Sequence, residues 1–426
     1  MLAITAEELA RSVAVVEKIP LVTDTVAKIR QLPPKSPVVA AAQTMAAYRA
    51  YVRAELARTM PAERTAREVR ALVRLGLLKG PIDAVKTLSD VWEASASSYF
   101  DTHEKKIFVV SVADDLSNVE AQLAHEVTHA LVSQRVDLGA YEDDPDHLRT
   151  RDAQAARQMI VEGDATLTSL AYLVKGFHGL NFFDRRLRKQ AQSTIGKMGG
   201  YIQGSVATSA PTVDALPPVF RDEVVVGPAK GMVAVSAVRD AGGWAAVNKL
   251  YENPPESTEQ VLHPAQKLVG RRDHPVVLAL RAESGILAGL TPVHTDVVGE
   301  LAMGSYFRTW GDVSAEADAV GWGGDRYAVY EIGGRDVAVW FTTWDTARDA
   351  VRFASAYESS MSVRFAGETV GKRVGVPAGA FVSHPDGTVT VLARTGKDVL
   401  IVDGAPASNA AELLAWLASS TRTQAR

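Results

Sequence analysis

The sequence contains no cysteine. That excludes a disulfide framework, a thiol nucleophile and any thiolate-ligated metal. It leaves the compartment open, because exported chains can lack Cys as readily as cytosolic ones. Long apolar runs are also missing: none reaches the roughly 18 residues that mark a transmembrane helix. Nor is there a surplus of positive charge. Lys and Arg total 46 against 50 Asp and Glu, a formal net charge of −4, which gives no support to a phosphate-neutralising nucleic-acid surface. The start, Met1-Leu2-Ala3-Ile4-Thr5-Ala6-Glu7-Glu8-Leu9, lacks the basic segment and apolar core of a signal peptide. Export would require a leader already removed; otherwise a cytoplasmic location is expected. No internal repeat of about 20–50 residues is visible.

What is present suits a globular chain. Hydrophobic residues make up 47% of the 426 positions and charged residues 23%, enough apolar material for two or three cores. Residues 5–75 are rich in Ala, Arg, Glu and Leu. Apolar spacing predicts helices over Thr44–Thr59 and Pro61–Leu75, after a break at Pro33-Pro34-Lys35-Ser36-Pro37. Phe100 to Lys106 reads as a hairpin turn and Ile107 to Val110 as a short buried strand. A capping signal at Ser117-Asn118-Val119-Glu120, with Asp114 or Asp115 as alternative caps, opens a helix to about Arg135. Further helices are expected over 150–174, 231–252 and 258–268, with a polar stretch near 196–218.

Beyond Pro292 the pattern changes. Val297–Trp310 reads as a helix. Residues 327–332 and 337–343 alternate like paired strands around Gly333-Gly334. A helix over 346–361, strands near 378–383, 388–394 and 398–402, and a last helix over 409–419 complete the chain. The expected fold is α+β and predominantly helical. A larger, helix-rich unit over 1–295, with a small sheet around 107–112, is followed by a smaller α+β unit over 296–426.

The chemistry lies in Leu123-Ala124-His125-Glu126-Val127-Thr128-His129-Ala130-Leu131. On a helix, His125 and His129 share one face, one turn apart, and can reach a single tetrahedral metal. Glu126 is then placed to reach a water on that metal. Chance would produce His-Glu-x-x-His in a chain of this composition on the order of 1% of the time. A catalytic zinc wants a third protein ligand and an open position. Glu162, 33 residues after His129 in Ile160-Val161-Glu162-Gly163-Asp164-Ala165, is the candidate. A carboxylate among such neighbours is costly to bury without a partner. Gly163 costs about 1 kcal/mol in a helix interior, which a close approach to the His125–His129 helix would explain. Asp164, about 200° round the helix from Glu162, should point away from the metal. A salt bridge is its plain reading, and Asp152 reads as a helix-start charge. Either is an alternative acceptor for a ligand His.

These residues resemble the gluzincin type of zinc metallopeptidase, in which a downstream Glu completes His-Glu-x-x-His. More closely the chain resembles a bacterial group with recurring blocks. Here these stand as Tyr99-Phe100-Asp101, Gln134-Arg135-Val136-Asp137-Leu138, Val161 to Ala165, Gly242-Gly243-Trp244, Pro254-Pro255-Glu256-Ser257-Thr258-Glu259-Gln260-Val261-Leu262-His263-Pro264, Gly321-Trp322-Gly323-Gly324-Asp325-Arg326 and Trp344-Asp345. The resemblance implies a Zn2+-dependent peptidase acting on a peptide or protein substrate. His125, His129 and Glu162 would bind the metal and Glu126 would serve as general base. It makes His263 a candidate oxyanion donor; the alternative is a structural corner capped by Ser257 or Thr258. The rival function is a catalytically inactive, zinc-stabilised binding or scaffold protein on the same frame.

Overall fold

A computed structural model describes residues 6–94, 97–110, 119–142, 149–174, 211–311, 315–371 and 379–424. The Ser117-Asn118 cap, its alternatives Asp114 and Asp115, the polar stretch up to 210, and His147 and His178 lie outside the described residues. The fold is mixed α+β and helix-rich, with small sheets. No helix among the described residues is long and apolar enough to cross a membrane.

Helices α1 (Ala6–Val16) and α2 (Ile19–Arg30) lead into a short strand β1 (Val39–Ala42). Helix α3 (Met45–Thr59) starts where expected, because the Thr44 hydroxyl accepts the Ala47 N–H at 3.2 Å. Helix α4 (Ala62–Leu75) stops at Gly76, whose φ of 80° provides a left-handed cap. Helix α5 (Ala84–Ala94) follows. Strands β2 (Ser98–Asp101) and β3 (Lys106–Val109) form the expected hairpin, and β1 joins β3 in parallel, giving the order β1-β3-β2. The Asp101 carboxylate shapes the turn by accepting the His103 and Glu104 N–H groups, each at 2.8 Å.

Helix α6 (Val119–Ser133), the short α7 (Leu138–Glu142), α8 (Arg151–Val174), α9 (Gly227–Glu252) and α10 (Thr258–Leu262) build the first core around Leu123, Val127, Leu131, Ile160, Val161, Val235 and Val247. Helix α9 is interrupted at Gly242 and Gly243, where Gly243 takes φ 68°.

The chain then forms β4 (Val276–Ala279), β5 (His294–Asp296), helix α11 (Gly299–Thr309), β6 (Trp322–Ile332), β7 (Arg335–Trp344) and α12 (Ala347–Arg364). It continues with β8 (Val370–Gly371), β9 (Gly379–Ser383), β10 (Thr388–Thr395), β11 (Asp398–Pro406), α13 (Ala410–Ala418) and β12 (Thr421–Gln424). Seven of these strands make an antiparallel sheet in the order β5-β6-β7-β11-β10-β9-β8, while β12 pairs with β4. The β6–β7 hairpin turns at Gly333-Gly334, both with positive φ (59° and 76°), as a tight two-residue turn demands.

Strand alternation sends Tyr327, Val329 and Trp340 to one face of this sheet and Ala328, Tyr330, Val339 and Phe341 to the other. The first face packs against Phe353 and Tyr357 of α12, Tyr306 and Phe307 of α11, and also Val69, Leu72 and Leu75 of α4. The second is covered by Leu413 and Leu417 of α13 with Leu278 and Leu287. Residues from well before 292 therefore belong to the core of the first face, and residues 276–290 to that of the second.

Candidate metal centre

Leu123, Ala124, Val127 and Leu131 are almost wholly buried and anchor α6 in the core. This leaves the face carrying His125 and His129 toward α8. The two imidazole rings lie 4.7 Å apart, centroid to centroid, with planes at 79°. Glu162 of α8 reaches both: Oε2 is 3.3 Å from His125 Nε2 and Oε1 is 3.7 Å from His129 Nε2. A tetrahedral ion with bonds of about 2.0–2.1 Å separates its ligand atoms by roughly 3.3–3.4 Å; both His–Glu separations, to different oxygens of the carboxylate, lie near that spacing. Among the described residues, His125, His129 and Glu162 are the group of His and carboxylate donors able to hold a metal, all within 4.8 Å of one another. The Glu162 side chain keeps 38% of its surface accessible and that of His125 25%, so the centre is open to solvent.

The electrostatics of the triad follow from this geometry. Burial pulls the Glu162 carboxyl up, but the hydrogen bond and charge of His125 outweigh it and hold Glu162 at about 2. Burial works against the charged form of His125, yet Glu162 more than compensates and raises it above the ordinary imidazole value. His129 is pushed down to about 4 by burial and by the neighbouring charge of His125. The pairing thus favours a charged His125 beside an ionised Glu162, and a neutral His129.

Glu126 projects toward the hairpin strand β2. Its Oε1 accepts a long hydrogen bond (3.4 Å) from the Ser98 hydroxyl, and the Phe100 backbone N–H also supports the carboxylate. Burial nevertheless raises the group to about 7, with His125 opposing and Glu162 adding to the rise. A carboxylate near 7 suits a proton carrier at neutral pH. Ser98 lay in no motif of the sequence, and Phe100 stood in the Tyr99-Phe100-Asp101 block with no role assigned; their part depends on where the hairpin docks.

His263 is not brought into the triad. Its Nε2 lies 2.7 Å from Glu300 Oε1, at the start of α11. Preceding it, Ser257 caps α10 by accepting the Gln260 N–H at 3.4 Å. Thr258 donates its N–H and hydroxyl to Asp152, ten residues and about 15 Å along α8 from Glu162. The cap that the structural-corner alternative expects is thus present, and His263 pairs with Glu300.

Asp164 points away from the metal face, as its angle on the helix requires. It takes a two-pronged bond from Arg30 (2.7 and 2.9 Å) and a third from Tyr251 (2.9 Å), with Arg30 and Asp164 fully buried. The Arg30 guanidinium lies 4.3 Å from the Trp244 ring centroid. Gly163 is a correction. Its close contact is with α9 rather than α6: an added Cβ would stand 2.2 Å from the carbonyl carbon of Gly231. The helix leans on α9 on one side and presents Glu162 to α6 on another.

The segments Gln134–Leu138 and Gly321–Arg326 also act as ties. Gln134 holds the loop at Lys35 and Ser36, and Asp137 accepts the Ala140 N–H at the start of α7. Asp325 gathers the Val298 and Gly299 N–H groups and the indoles of Trp322 and Trp340.

Compared with known proteins, the chain matches the model of one family, described as a domain of unknown function (DUF8575), over residues 289–414. This match spans all seven strands of the large sheet and none of the triad. No curated protein and no solved structure matches the chain significantly.

Proposed function

We propose that the chain is a zinc-dependent peptidase on a gluzincin-like frame. The observation that carries this reading is the convergence of His125, His129 and Glu162, with Glu126 one residue from a ligand and free of direct bonds to the other three. Two imidazole nitrogens and a carboxylate oxygen are a donor set zinc favours in hydrolytic sites. A purely structural zinc wants four protein ligands, whereas among the described residues the group stops at three and is open to solvent.

When bound there, zinc supplies Lewis acidity toward a carbonyl oxygen and lowers the pKa of a coordinated water toward about 7. Glu126 takes the proton as water adds to the scissile carbonyl and passes it to the departing amine. Ser98 and the Phe100 N–H hold the Glu126 carboxylate in place. Arg30, Asp164 and the Gly163–Gly231 contact fix α8, and so Glu162, against α2 and α9.

The test is elemental analysis after zinc loading, followed by peptide hydrolysis with Glu126→Gln as control. The reading expects about one zinc per chain, and a Glu126→Gln variant that keeps zinc but loses at least about 100-fold in turnover. Zinc retained with no hydrolysis of any peptide pool would favour the zinc-stabilised binding protein. Full turnover in Glu126→Gln would rule out the assigned base.

A further inference from the structure

Away from the triad, a cleft of about 950 Å³ lies between α4, the 78–85 segment and the turn end of the seven-stranded sheet. Its size is that of a small-molecule site. We propose that it binds a small organic carboxylate with an apolar body.

The walls supply the apolar half of the argument. Val69 and Val73 of α4, Leu78, Ile82 and the rings of Trp310 and Phe365 line the cleft. Trp310 is fixed by its indole N–H, which donates to the Gly76 carbonyl at 2.8 Å. Such walls do not recognise inorganic phosphate or a sugar; they accept a hydrocarbon or aromatic body.

The charges supply the other half. Arg74 and Arg364, both lining the cleft, share one buried carboxylate, Asp403. Two guanidiniums on one carboxylate leave a net positive charge. The Arg74 side chain keeps 25% of its surface accessible, so a carboxylate in the cleft can reach it. Gly404 makes room for this guanidinium, since an added Cβ would stand 2.7 Å from Arg74 Nη1. Lys79 Nζ lies 5.6 Å from the Trp310 ring centroid, and the Arg364 guanidinium lies 6.0 Å from it. The indole is thus flanked by cations.

The remaining charges at the cleft are already engaged. Arg70 pairs with Asp336 and Glu331, and Arg335 pairs with Asp386. Asp83 caps α5 by accepting the Lys86 N–H at 2.9 Å. What is unspent is donor capacity on Arg74 and Lys79, beside apolar walls. A carboxylate answers both guanidinium and ammonium, and its apolar body fills the rest.

The experiment titrates the full chain with decanoate below its micellar concentration, following indole fluorescence and thermal stability. Decanol keeps the body without the charge; acetate keeps the charge without the body. Saturable decanoate binding is expected, at least about tenfold tighter than either control. Lys79→Met should weaken decanoate about fivefold and leave decanol unchanged. Arg74→Gln should weaken it about tenfold, with Arg364 still pairing Asp403. Trp310→Phe should keep the thermal shift and lose most of the fluorescence change. If Arg74→Gln does not fold, Lys79→Met decides the matter, because among the described residues it has no ion pair to lose. Absence of saturable binding, equal affinity for decanol, or decanoate binding indifferent to Lys79→Met overturns the assignment.

Discussion

Gly163 and Gly231 bring two helix backbones into contact. A Cβ on Gly231 would stand 1.7 Å from the Met159 carbonyl oxygen, and one on Gly163 2.2 Å from the Gly231 carbonyl carbon. No side-chain rotation relieves a clash with backbone. Gly231→Ala should therefore force α8 and α9 apart and destabilise the fold by about 3 kcal/mol or more, at the upper end of overpacking effects. Urea unfolding measures this. Because Glu162 precedes Gly163, zinc affinity should fall as well, and an unchanged unfolding midpoint would refute the contact.

The Arg30–Asp164 pair is a second support of α8. Arg30→Met leaves a carboxylate buried with Tyr251 alone, and a loss of about 3–5 kcal/mol is expected. The double variant Arg30→Met/Asp164→Leu removes both charges and should recover most of that loss. Denaturant titration of the two variants checks this: similar losses in both would show that packing, not the stranded charge, dominates.

Zinc binding should depend on pH through His125. The hydrogen bond to Glu162 raises this imidazole above its ordinary value, and a protonated imidazole cannot ligate. Affinity should be full above the raised His125 value and fall as pH drops through it, with a proton released on binding. Calorimetry in buffers of different ionisation enthalpy counts that proton. Affinity that stays flat between about pH 5.5 and 8 would contradict the His125–Glu162 pairing.

Asp152 predicts a pH dependence of stability instead. Burial raises it to about 8, with Thr258 opposing and Asp325 and Glu300 adding to the rise. The unfolded chain releases this proton near 4 and the folded chain near 8, so the folded state holds more protons in between. Stability should fall as pH rises from about 4 to 8. Asp152→Asn keeps an acceptor for Thr258 and removes the charge, so it should flatten that decline by at least about 1 kcal/mol. Urea midpoints at pH 5 and 8.5 for both proteins test this, and parallel slopes would sink it.

Much of the fold was legible locally. Thr44 and Gly76 mark helix ends because capping is satisfied within a few residues, and Gly333-Gly334 marks a hairpin because the turn needs two positive φ angles. Strands β1, β4, β5 and β12 were not legible. Each is only three or four residues long and is held by a partner distant in sequence, as Val39–Ala42 is by Lys106–Val109. The packing of α4 under the seven-stranded sheet was equally hidden, since an amphipathic helix does not say which apolar surface it will cover.

The sequence by itself determined that His125 and His129 face one way, that Glu126 adjoins them, and that Asp164 turns from Glu162. Helical periodicity alone dictates all three. Only the tertiary structure decided that Glu162 arrives at both imidazoles, that Gly163 serves α9 rather than α6, that Ser98 and Phe100 hold Glu126, and that His263 belongs to Glu300. Those relations join elements far apart along the chain, and their geometry is set by how buried surfaces dock.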